Sequence, residues 1–281
     1  MRKLMNYLLL GVGMACLLAF CVYFVRGQLS RDDLAPVISM ESDRITMSVW
    51  DDREGFLVGV TARDDVDGDV TPSLVVEGVS AVGRDGSVTV TYAAFDRAGN
   101  VGKAERTVIY SDYEGPKFAL SSPLVFRMGG TVNLYRYVSA SDPVDGDLSD
   151  HVKVSLESET ADLSTEGIHP VTLRVTNSMG DTARLTVPVE VYSGGGHTAT
   201  LSLTQYLVYV EKGSSFDPSA WVKSLWVDSR TVFADRFAEE GVSFEVTSHV
   251  DTAVPGTYTV DYTALCGGFT GASRLIVVVE E

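Results

Sequence analysis

The chain has 281 residues, a formal net charge of −16 and 3 Cys. This length allows two or three domains, and so few cysteines exclude a small secreted module that is held together by disulfides. A hydrophobic content of 45% with 21% charged residues argues against extended disorder. Proteins that bind nucleic acid need a basic surface, so the acidic balance of the chain excludes nucleic acid as a partner.

An apolar segment occupies residues 4–25, in which Asn6 is the only strongly polar side chain. As a helix it would be about 33 Å long, which is enough to cross a bilayer's hydrocarbon core. Arg2 and Lys3 come before it, which favours a cytoplasmic amino terminus and an exterior location for the rest of the chain. We therefore predict that residues 1–28 form a short cytoplasmic end and a transmembrane anchor in the lipid bilayer.

Two alternatives to this anchor stay open. A cleaved signal peptide has a shorter apolar region, about 7–15 residues, followed by a site of small residues, and no such site comes before Arg26. A lipoprotein signal needs a small residue before its cysteine, whereas Phe20 comes before Cys21. Cleavage before Cys16 would leave an apolar stretch on the mature protein, so the uncleaved anchor is favoured.

From residue 35 onward the chain is rich in Val, Thr, Ser and Gly, and apolar and polar residues alternate as in half-buried strands. The sequence also repeats, because residues 62–70 recur as residues 140–148. Turn signals recur every 8–12 residues or so, a spacing typical of small two-sheet sandwiches. We predict an all-β fold of three tandem immunoglobulin-like β-sandwiches: domain 1 (residues 35–112), domain 2 (115–193) and a divergent domain 3 (197–281).

The repeated motifs resemble those of a known family. Their order is Ala-x-Asp, Asp-Gly-Asp, Pro-Gly-Thr-Tyr and Asp-x-Ala-Gly-Asn, which resembles the bacterial immunoglobulin-like domain family first named from a pesticidal crystal protein, a relative of the hyaline-repeat modules. The resemblance implies a role as a spacer, stalk or adhesive unit on a secreted or surface protein. The matching residues are Ala62, Asp64, Asp67, Gly68, Asp69 and residues 96–100 in domain 1, Ala140, Asp142, Asp145, Gly146 and Asp147 in domain 2, and residues 216–218 and 250–258 in domain 3.

Domains 1 and 2 each contain an acidic loop with closely spaced aspartates. Aspartates often cap turns and keep an exposed loop soluble, and this is the favoured interpretation. Oxygen ligands at such spacing can also converge on Ca²⁺, which would relieve the repulsion between crowded carboxylates. The candidate calcium ligands are Asp65, Asp67 and Asp69 in domain 1, which is the favoured loop, and Asp142, Asp145 and Asp147 in domain 2.

Domain 3 lacks the acidic loop and has an aromatic segment from Trp221 to Phe237 instead. Its aromatic side chains either fill the core or form a partly exposed apolar patch that binds a surface protein or a glycan. The candidate partner-binding residues are Trp226, Phe233 and Phe237.

Catalytic motifs are missing from the sequence. Its 4 His are scattered, and no Gly-x-Ser-x-Gly or His-x-x-x-His motif occurs. We therefore expect a non-enzymatic, membrane-anchored bacterial surface protein whose immunoglobulin-like stalk presents domain 3 for adhesion or for interaction with envelope proteins. The alternatives are a carbohydrate-binding or carbohydrate-active protein that uses domain 3, and a purely structural spacer. Apart from Ca²⁺, no cofactor is expected.

Overall fold

The computed structural model describes residues 2–29, 32–130, 132–156, 163–193 and 198–281. The chain divides into two compact units: unit 1, Met1–Tyr113, which contains the first helix and domain 1, and unit 2, Glu114–Glu281, which contains domains 2 and 3. The predicted first residue of domain 3, residue 197, lies outside the described residues.

The first element is helix α1, which spans Arg2–Leu29. Its side chains are described from residue 10 to residue 23, and the large apolar ones among them are exposed, for example Leu10 at 70% and Tyr23 at 79%. Across the described residues, no helix is both long and apolar enough to cross a membrane. The structure therefore does not show the transmembrane anchor predicted for residues 4–25.

The rest of the described chain consists mainly of strands, which confirms the predicted all-β class. The strands of domain 1 are β1 (Val37–Met40), β2 (Arg44–Met47), β3 (Val60–Asp64), β4 (Gly68–Asp69), β5 (Val75–Val79), β6 (Ser87–Phe95) and β7 (Val101–Tyr110). Those of domain 2 are β8 (Lys117–Leu120), β9 (Val125–Arg127), β10 (Val138–Asp142), β11 (Gly146–Asp147), β12 (Lys153–Leu156), β13 (Gly167–Thr176) and β14 (Thr182–Tyr192). Those of domain 3 are β15 (Thr200–Leu203), β16 (Leu207–Glu211), β17 (Val222–Val227), β18 (Arg230–Phe233), β19 (Ser243–Ser248), β20 (Gly256–Cys266) and β21 (Phe269–Glu280). Short 3₁₀ helices lie at Arg53–Leu57, Thr71–Ser73, Leu134–Arg136, Ser149–His151, Pro218–Trp221 and Ala234–Arg236.

All three domains have the same strand order. Each has a three-stranded sheet, which is β1-β3-β4, β8-β10-β11 or β15-β17-β18. Each also has a four-stranded sheet, which is β2-β7-β6-β5, β9-β14-β13-β12 or β16-β21-β20-β19. In every domain the second strand runs parallel to the last strand, and the other pairs are antiparallel. The sequence repeat is therefore also a repeat of topology.

The core of each domain lies between its two sheets. In domain 3, Leu201 and Leu225 come from the three-stranded sheet, and Val260 and Leu275 come from the four-stranded sheet. These side chains share the inward faces of the two sheets, because every second residue of a strand points to the same face. Two sheets that bury one face against each other form a sandwich.

Within unit 2, domain 3 contributes to the core of domain 2. Leu207 of β16 and Ile276 of β21 are buried in the apolar cluster of domain 2, and Tyr209 packs against the same cluster. The Tyr209 hydroxyl accepts a hydrogen bond of 2.9 Å from the backbone N–H of Phe118. Burial raises the pKa of Tyr209 to about 12. This phenol therefore stays neutral and acts as a fixed part of the joint between the two domains.

Charged groups surround this apolar joint. The Arg274 guanidinium lies 3.0 Å from Glu190 of domain 2 and 2.6 Å from Asp261 of domain 3, and its side chain is 17% exposed. Lys117 of domain 2 lies 3.4 Å from Glu280 of domain 3. A mostly buried arginine that contacts two acids holds both domains in a defined geometry. Domains 2 and 3 therefore form one body.

Candidate functional site

The acidic loops of domains 1 and 2 are attached to a neighbouring hairpin. In domain 1, Asp67 accepts a hydrogen bond of 2.7 Å from the backbone N–H of Arg97. In domain 2, Asp145 accepts one of 2.6 Å from the backbone N–H of Ser178 and one of 2.7 Å from its hydroxyl. These hydrogen bonds hold the pKa of Asp145 below its usual value. The two aspartates therefore have matching local partners in the protein.

The next aspartate of each loop accepts a hydrogen bond from the first residue of the 3₁₀ helix that follows it. Asp69 accepts a hydrogen bond of 3.0 Å from the backbone N–H of Thr71, and Asp147 accepts one of 2.9 Å from that of Ser149. Hydrogen bonds from these hydroxyl residues lower the pKa of both carboxyls. Asp65 is exposed. Among the described residues, none of these loop aspartates belongs to a group of three ligands close enough to share a metal, and calcium binding by them stays a prediction.

Asp142, the remaining predicted ligand of domain 2, is 6% exposed and has a partner at each oxygen. Its Oδ1 accepts a hydrogen bond of 2.7 Å from the backbone N–H of Asp145. Its Oδ2 accepts one of 2.9 Å from the side-chain amide of Asn177. The side-chain carbonyl oxygen of Asn177 in turn accepts a hydrogen bond of 2.9 Å from the backbone N–H of Asp181. This buried carboxylate is therefore satisfied by the protein alone.

The equivalent place in domain 1 brings three carboxylates together instead. Asp32 comes before β1, Asp64 ends β3, and Asp96 follows β6. One oxygen from each lies within 4.8 Å of the others. Asp64 is 4% exposed, and its Oδ1 accepts hydrogen bonds of 2.9 and 2.8 Å from backbone N–H groups of the acidic loop. The Oδ2 atoms of Asp64 and Asp32 are buried and have no hydrogen-bond partner.

Asn100 holds two members of this group in place. Its side-chain amide donates a hydrogen bond of 2.7 Å to Oδ2 of Asp96 and one of 3.0 Å to the backbone oxygen of Asp32. Burial raises the pKa of Asp32, and the negative charges of Asp64 and Asp96 add to the increase. Burial also raises the pKa of Asp96, but the hydrogen bonds from Asn100 and its neighbours outweigh this and hold the pKa below its usual value. The group therefore concentrates negative charge that the protein itself does not fully compensate.

Sequence reasoning missed this group although two of its members belong to the repeated motifs. Asp64 and Asp96 match the family pattern, but Asp32 lies before the predicted start of domain 1 at residue 35. One signal was available, because Asp96 is replaced by Asn177 at the equivalent position of domain 2. An exchange of a carboxylate for an amide next to a shared buried aspartate indicates a change in how the charge is compensated.

In domain 3, two of the predicted aromatic residues lie on an exposed sheet face. Trp226 of β17 is 52% exposed and Phe233 of β18 is 54% exposed. Trp226 pairs with Thr231 and Phe233 pairs with Ser224, so both rings lie on the same face of the antiparallel pair. The inward face carries Leu225, which is fully buried. The pairing of β17 with β18 therefore places Trp226 and Phe233 on the face that points away from the core.

The hairpin between these strands has a tight turn. Asp228 and Ser229 have φ values of 48° and 60°, the left-handed conformation that a two-residue hairpin turn requires. Phe237, the third predicted partner-binding residue, is only 7% exposed and its ring lies 5.9 Å from that of Phe244. Phe237 thus packs in the core of domain 3, and of the three predicted residues only Trp226 and Phe233 lie on the exposed face.

Comparisons with known proteins show weak similarity. No family model matches the chain. It is 31% identical over 144 residues to the pesticidal crystal protein Cry22Aa of Bacillus thuringiensis, a match that covers 47% of this chain and 18% of that protein. It is 25% identical over 109 residues to an uncharacterized 81.3 kDa protein of Acholeplasma phage L2, covering 38% of this chain and 15% of that one. The chain therefore spans less than a fifth of these relatives, and the family named from the motifs is not confirmed.

Among solved structures, similar ones include extracellular and carbohydrate-binding proteins. The protocadherin GammaB4 extracellular domain has a TM-score of 0.21 and 11% identity, over 89% of this chain and 52% of that one. A Clostridium perfringens ZmpB structure, containing CBM51-2 in complex with GlcNAc and INT domains, has a TM-score of 0.24 and 16% identity, over 87% of this chain and 41% of that one.

Proposed function

We propose that the chain is a non-enzymatic surface protein in which domain 3 presents a binding face and domains 1 and 2 act as the spacer. The observation that carries this proposal is the pair of aromatic rings, Trp226 and Phe233, exposed on one face of the three-stranded sheet. Exposed aromatic residues that are neighbours on a rigid surface are typical of recognition sites.

The chemistry of this face favours a glycan as the ligand. The residues paired with Trp226 are Thr200 and Thr231, both exposed, and the next residue on the same face of β15 is Ser202. The face thus combines flat aromatic surfaces with hydroxyl groups. Hydroxyls can exchange hydrogen bonds with a sugar, while the rings cover its apolar side.

The joint inside unit 2 supports the spacer role. Domain 3 is held to domain 2 by the buried Ile276 and Leu207 and by Arg274, which bonds acids of both domains. A binding face on a body that does not flex at this joint loses little conformational entropy when it binds. Domains 2 and 3 are therefore suited to present the face in a constant orientation.

Attachment to a membrane through residues 4–25, with the three domains on the exterior, is part of the proposal and is supported by the apolar sequence alone. Protease treatment of intact cells should cleave domains 1 to 3 and leave a short amino-terminal fragment in the membrane fraction. Protection of the domains in intact cells, with cleavage only after lysis, would contradict the exterior location.

The binding face is tested with the full chain, kept in a mild detergent because of its apolar amino-terminal segment. On a glycan array, Trp226→Ser and Phe233→Ser should each weaken binding at least about 10-fold, since central aromatic residues contribute most to affinity. The matched control is Trp50→Ser, because Trp50 is a tryptophan of domain 1 that is exposed even more than Trp226, at 65%.

Three outcomes separate the alternatives. Equal glycan binding by the wild type and both domain 3 variants would contradict the assignment of the face. Cross-linking of an envelope protein at position 226 without any glycan binding would favour adhesion to a protein. Glycan hydrolysis by the wild-type chain would contradict the non-enzymatic part of the proposal.

A further inference from the structure

We propose that domain 1 binds one Ca²⁺ through Asp32, Asp64 and Asp96. Three segments that are far apart in the sequence deliver these carboxylates to one end of the domain, with one oxygen of each within 4.8 Å of the others. The Oδ2 atoms of Asp64 and Asp32 are buried and accept no hydrogen bond. A buried carboxylate oxygen without a partner costs free energy, and two more negative charges beside it add to the cost.

Domain 2 shows how the same fold compensates this position when no cation is involved. Its buried aspartate, Asp142, receives the amide N–H of Asn177 at the oxygen that stays unpaired in Asp64. The two hairpins are closed in the same way, because the side-chain oxygens of Asp96 and Asn177 accept matching backbone hydrogen bonds of 2.8 and 2.9 Å from Asn100 and Asp181. Domain 1 thus has a negative charge where domain 2 has a hydrogen-bond donor.

The arrangement suits a hard divalent cation. Carboxylate oxygens bind Ca²⁺ at about 2.3–2.6 Å, so two oxygens that share one ion lie at most about 5 Å apart. The three carboxylate oxygens lie within 4.8 Å of one another, which meets this limit. Mg²⁺ demands a near-ideal octahedron at about 2.0–2.1 Å and usually keeps several waters, whereas Ca²⁺ accepts an irregular set of oxygen ligands, so three carboxylates from separate segments favour Ca²⁺. Asp32 and Asp96 are only half-buried, which leaves access for water molecules to complete the coordination.

Calcium would fix the chain where it enters domain 1. Asp32 belongs to the segment before β1, whereas the other two ligands belong to loops of the domain itself. The same segment already contacts β7, since a Cβ on Gly102 would collide with the backbone oxygen of Pro36. Asn100 adds its hydrogen bond to the backbone of Asp32. The cation would therefore hold the segment before β1 against domain 1. It would reduce the flexibility of the chain where it enters the domain.

The test is calorimetric titration of the full chain with CaCl₂ in mild detergent, after removal of bound ions with EDTA. We expect one Ca²⁺ per chain for the wild type, and an affinity at least about 100-fold lower for Asp96→Asn because one anionic ligand is lost. The matched control is Asp65→Asn, which removes a neighbouring exposed charge and should leave the affinity within about 3-fold.

Thermal unfolding shows whether loss of binding is only loss of the fold. Asp96→Asn gives Asp64 an amide partner but loses the hydrogen bond that Asp96 accepts from the Asn100 amide, so in EDTA the variant should unfold within about 4 °C of the wild type. Saturating Ca²⁺ should raise the unfolding temperature of wild-type unit 1 by about 4–8 °C and leave that of the variant unchanged.

Two results would overturn the proposal. Absence of calcium binding by the wild type at 5–10 mM or so, well above the weakest protein calcium sites, would leave a shared proton to compensate the carboxylates. Loss of binding in Asp65→Asn with retention in Asp96→Asn would move the ion to the acidic loop.

Discussion

Domains 1 and 2 have the same strand order, yet they treat the buried aspartate at the end of the third strand differently. In domain 2 the carboxylate of Asp142 has a protein partner at both oxygens. In domain 1 the carboxylate of Asp64 has partners at Oδ1 only, and Asp32 and Asp96 lie beside it. The backbone hydrogen bonds of the two loops hardly differ, so the contrast comes from side chains.

This contrast shows how small a change converts a buried hydrogen bond between two side chains into a pair of neighbouring negative charges. Asp96 and Asn177 differ by one atom, an oxygen in place of an NH₂ group, and both still accept the hydrogen bond that closes their hairpin. The amide donates a hydrogen bond, whereas the carboxylate can only accept one unless it is protonated. A single substitution at this position therefore exchanges the charge of one domain for the hydrogen-bond donor of the other.

The largest effect is expected from Asn177→Asp, which introduces the domain 1 charge into domain 2. Two carboxylates would then meet at a site where both native residues are 6% exposed. We expect the free energy of unfolding of unit 2 to fall by about 2–4 kcal/mol at pH 7, measured by urea denaturation.

The pH dependence of this variant has a definite sign. Repulsion raises the pKa of one carboxyl of the pair in the folded state, so the folded variant binds a proton more tightly than the unfolded chain. The destabilisation is fully present above that raised pKa and shrinks as the pH falls through it. The control Asn177→Ala loses the hydrogen bond without adding charge, and its deficit should change little between pH 7 and pH 5. Equal pH dependence in both variants would contradict the charge explanation.

A smaller effect is expected at the tyrosine that domain 1 has and domain 2 lacks. Tyr92 is fully buried, and its hydroxyl donates a hydrogen bond of 2.7 Å to the backbone oxygen of Phe56. Domain 2 has the buried Leu173 at the equivalent position. Tyr92→Phe leaves a buried carbonyl without its donor and should cost unit 1 about 1–1.5 kcal/mol in urea denaturation.

Domain 3 provides the matched variant for this prediction. The hydroxyl of Tyr262 donates 2.7 Å to the backbone oxygen of Pro218, so Tyr262→Phe should cost unit 2 a similar amount. Unchanged stability in both variants would show that the hydroxyls contribute nothing beyond the packing of their rings.

The sequence predicted what depends on local patterns. Alternation of apolar and polar residues indicated the strands, and regularly spaced turn signals indicated small two-sheet sandwiches, because period and turn chemistry act within a few residues. The shared topology of the three domains followed from the repeat. The group of three carboxylates was not predictable in the same way, because Asp32, Asp64 and Asp96 come together only after the strands have assembled.

The aromatic segment shows the same limit. Trp226, Phe233 and Phe237 were equal candidates from composition, but the structure exposes the first two and buries the third. The difference follows from the two-residue turn at Asp228 and Ser229, which sets the register and thus the face of every residue in the hairpin. Residues beyond the second strand leave this register, so the pattern of the hairpin does not extend to Phe237.

The smallest effect is expected at a second position where domain 1 carries a charge that domain 2 does not. Arg106 is 3% exposed and pairs with Val90 across the sheet, and the equivalent pair in domain 2 is Val187 with Val171. Its guanidinium donates 2.8 Å to the backbone oxygen of Val58, while its Nε is buried without a hydrogen-bond partner. No ion pair of Arg106 occurs among the described residues.

Arg106→Met tests whether that charge stabilises domain 1. The substitution removes one hydrogen bond but also the cost of burying a cation without an acid, and the flexible apolar side chain of methionine replaces the arginine stem. Because these two contributions oppose each other, we expect the free energy of unfolding of unit 1 to change by less than about 1 kcal/mol, with any change toward greater stability. A loss above about 2 kcal/mol in urea denaturation would contradict this balance. It would show that the contact between the guanidinium and the backbone oxygen of Val58 outweighs the cost of burying the charge.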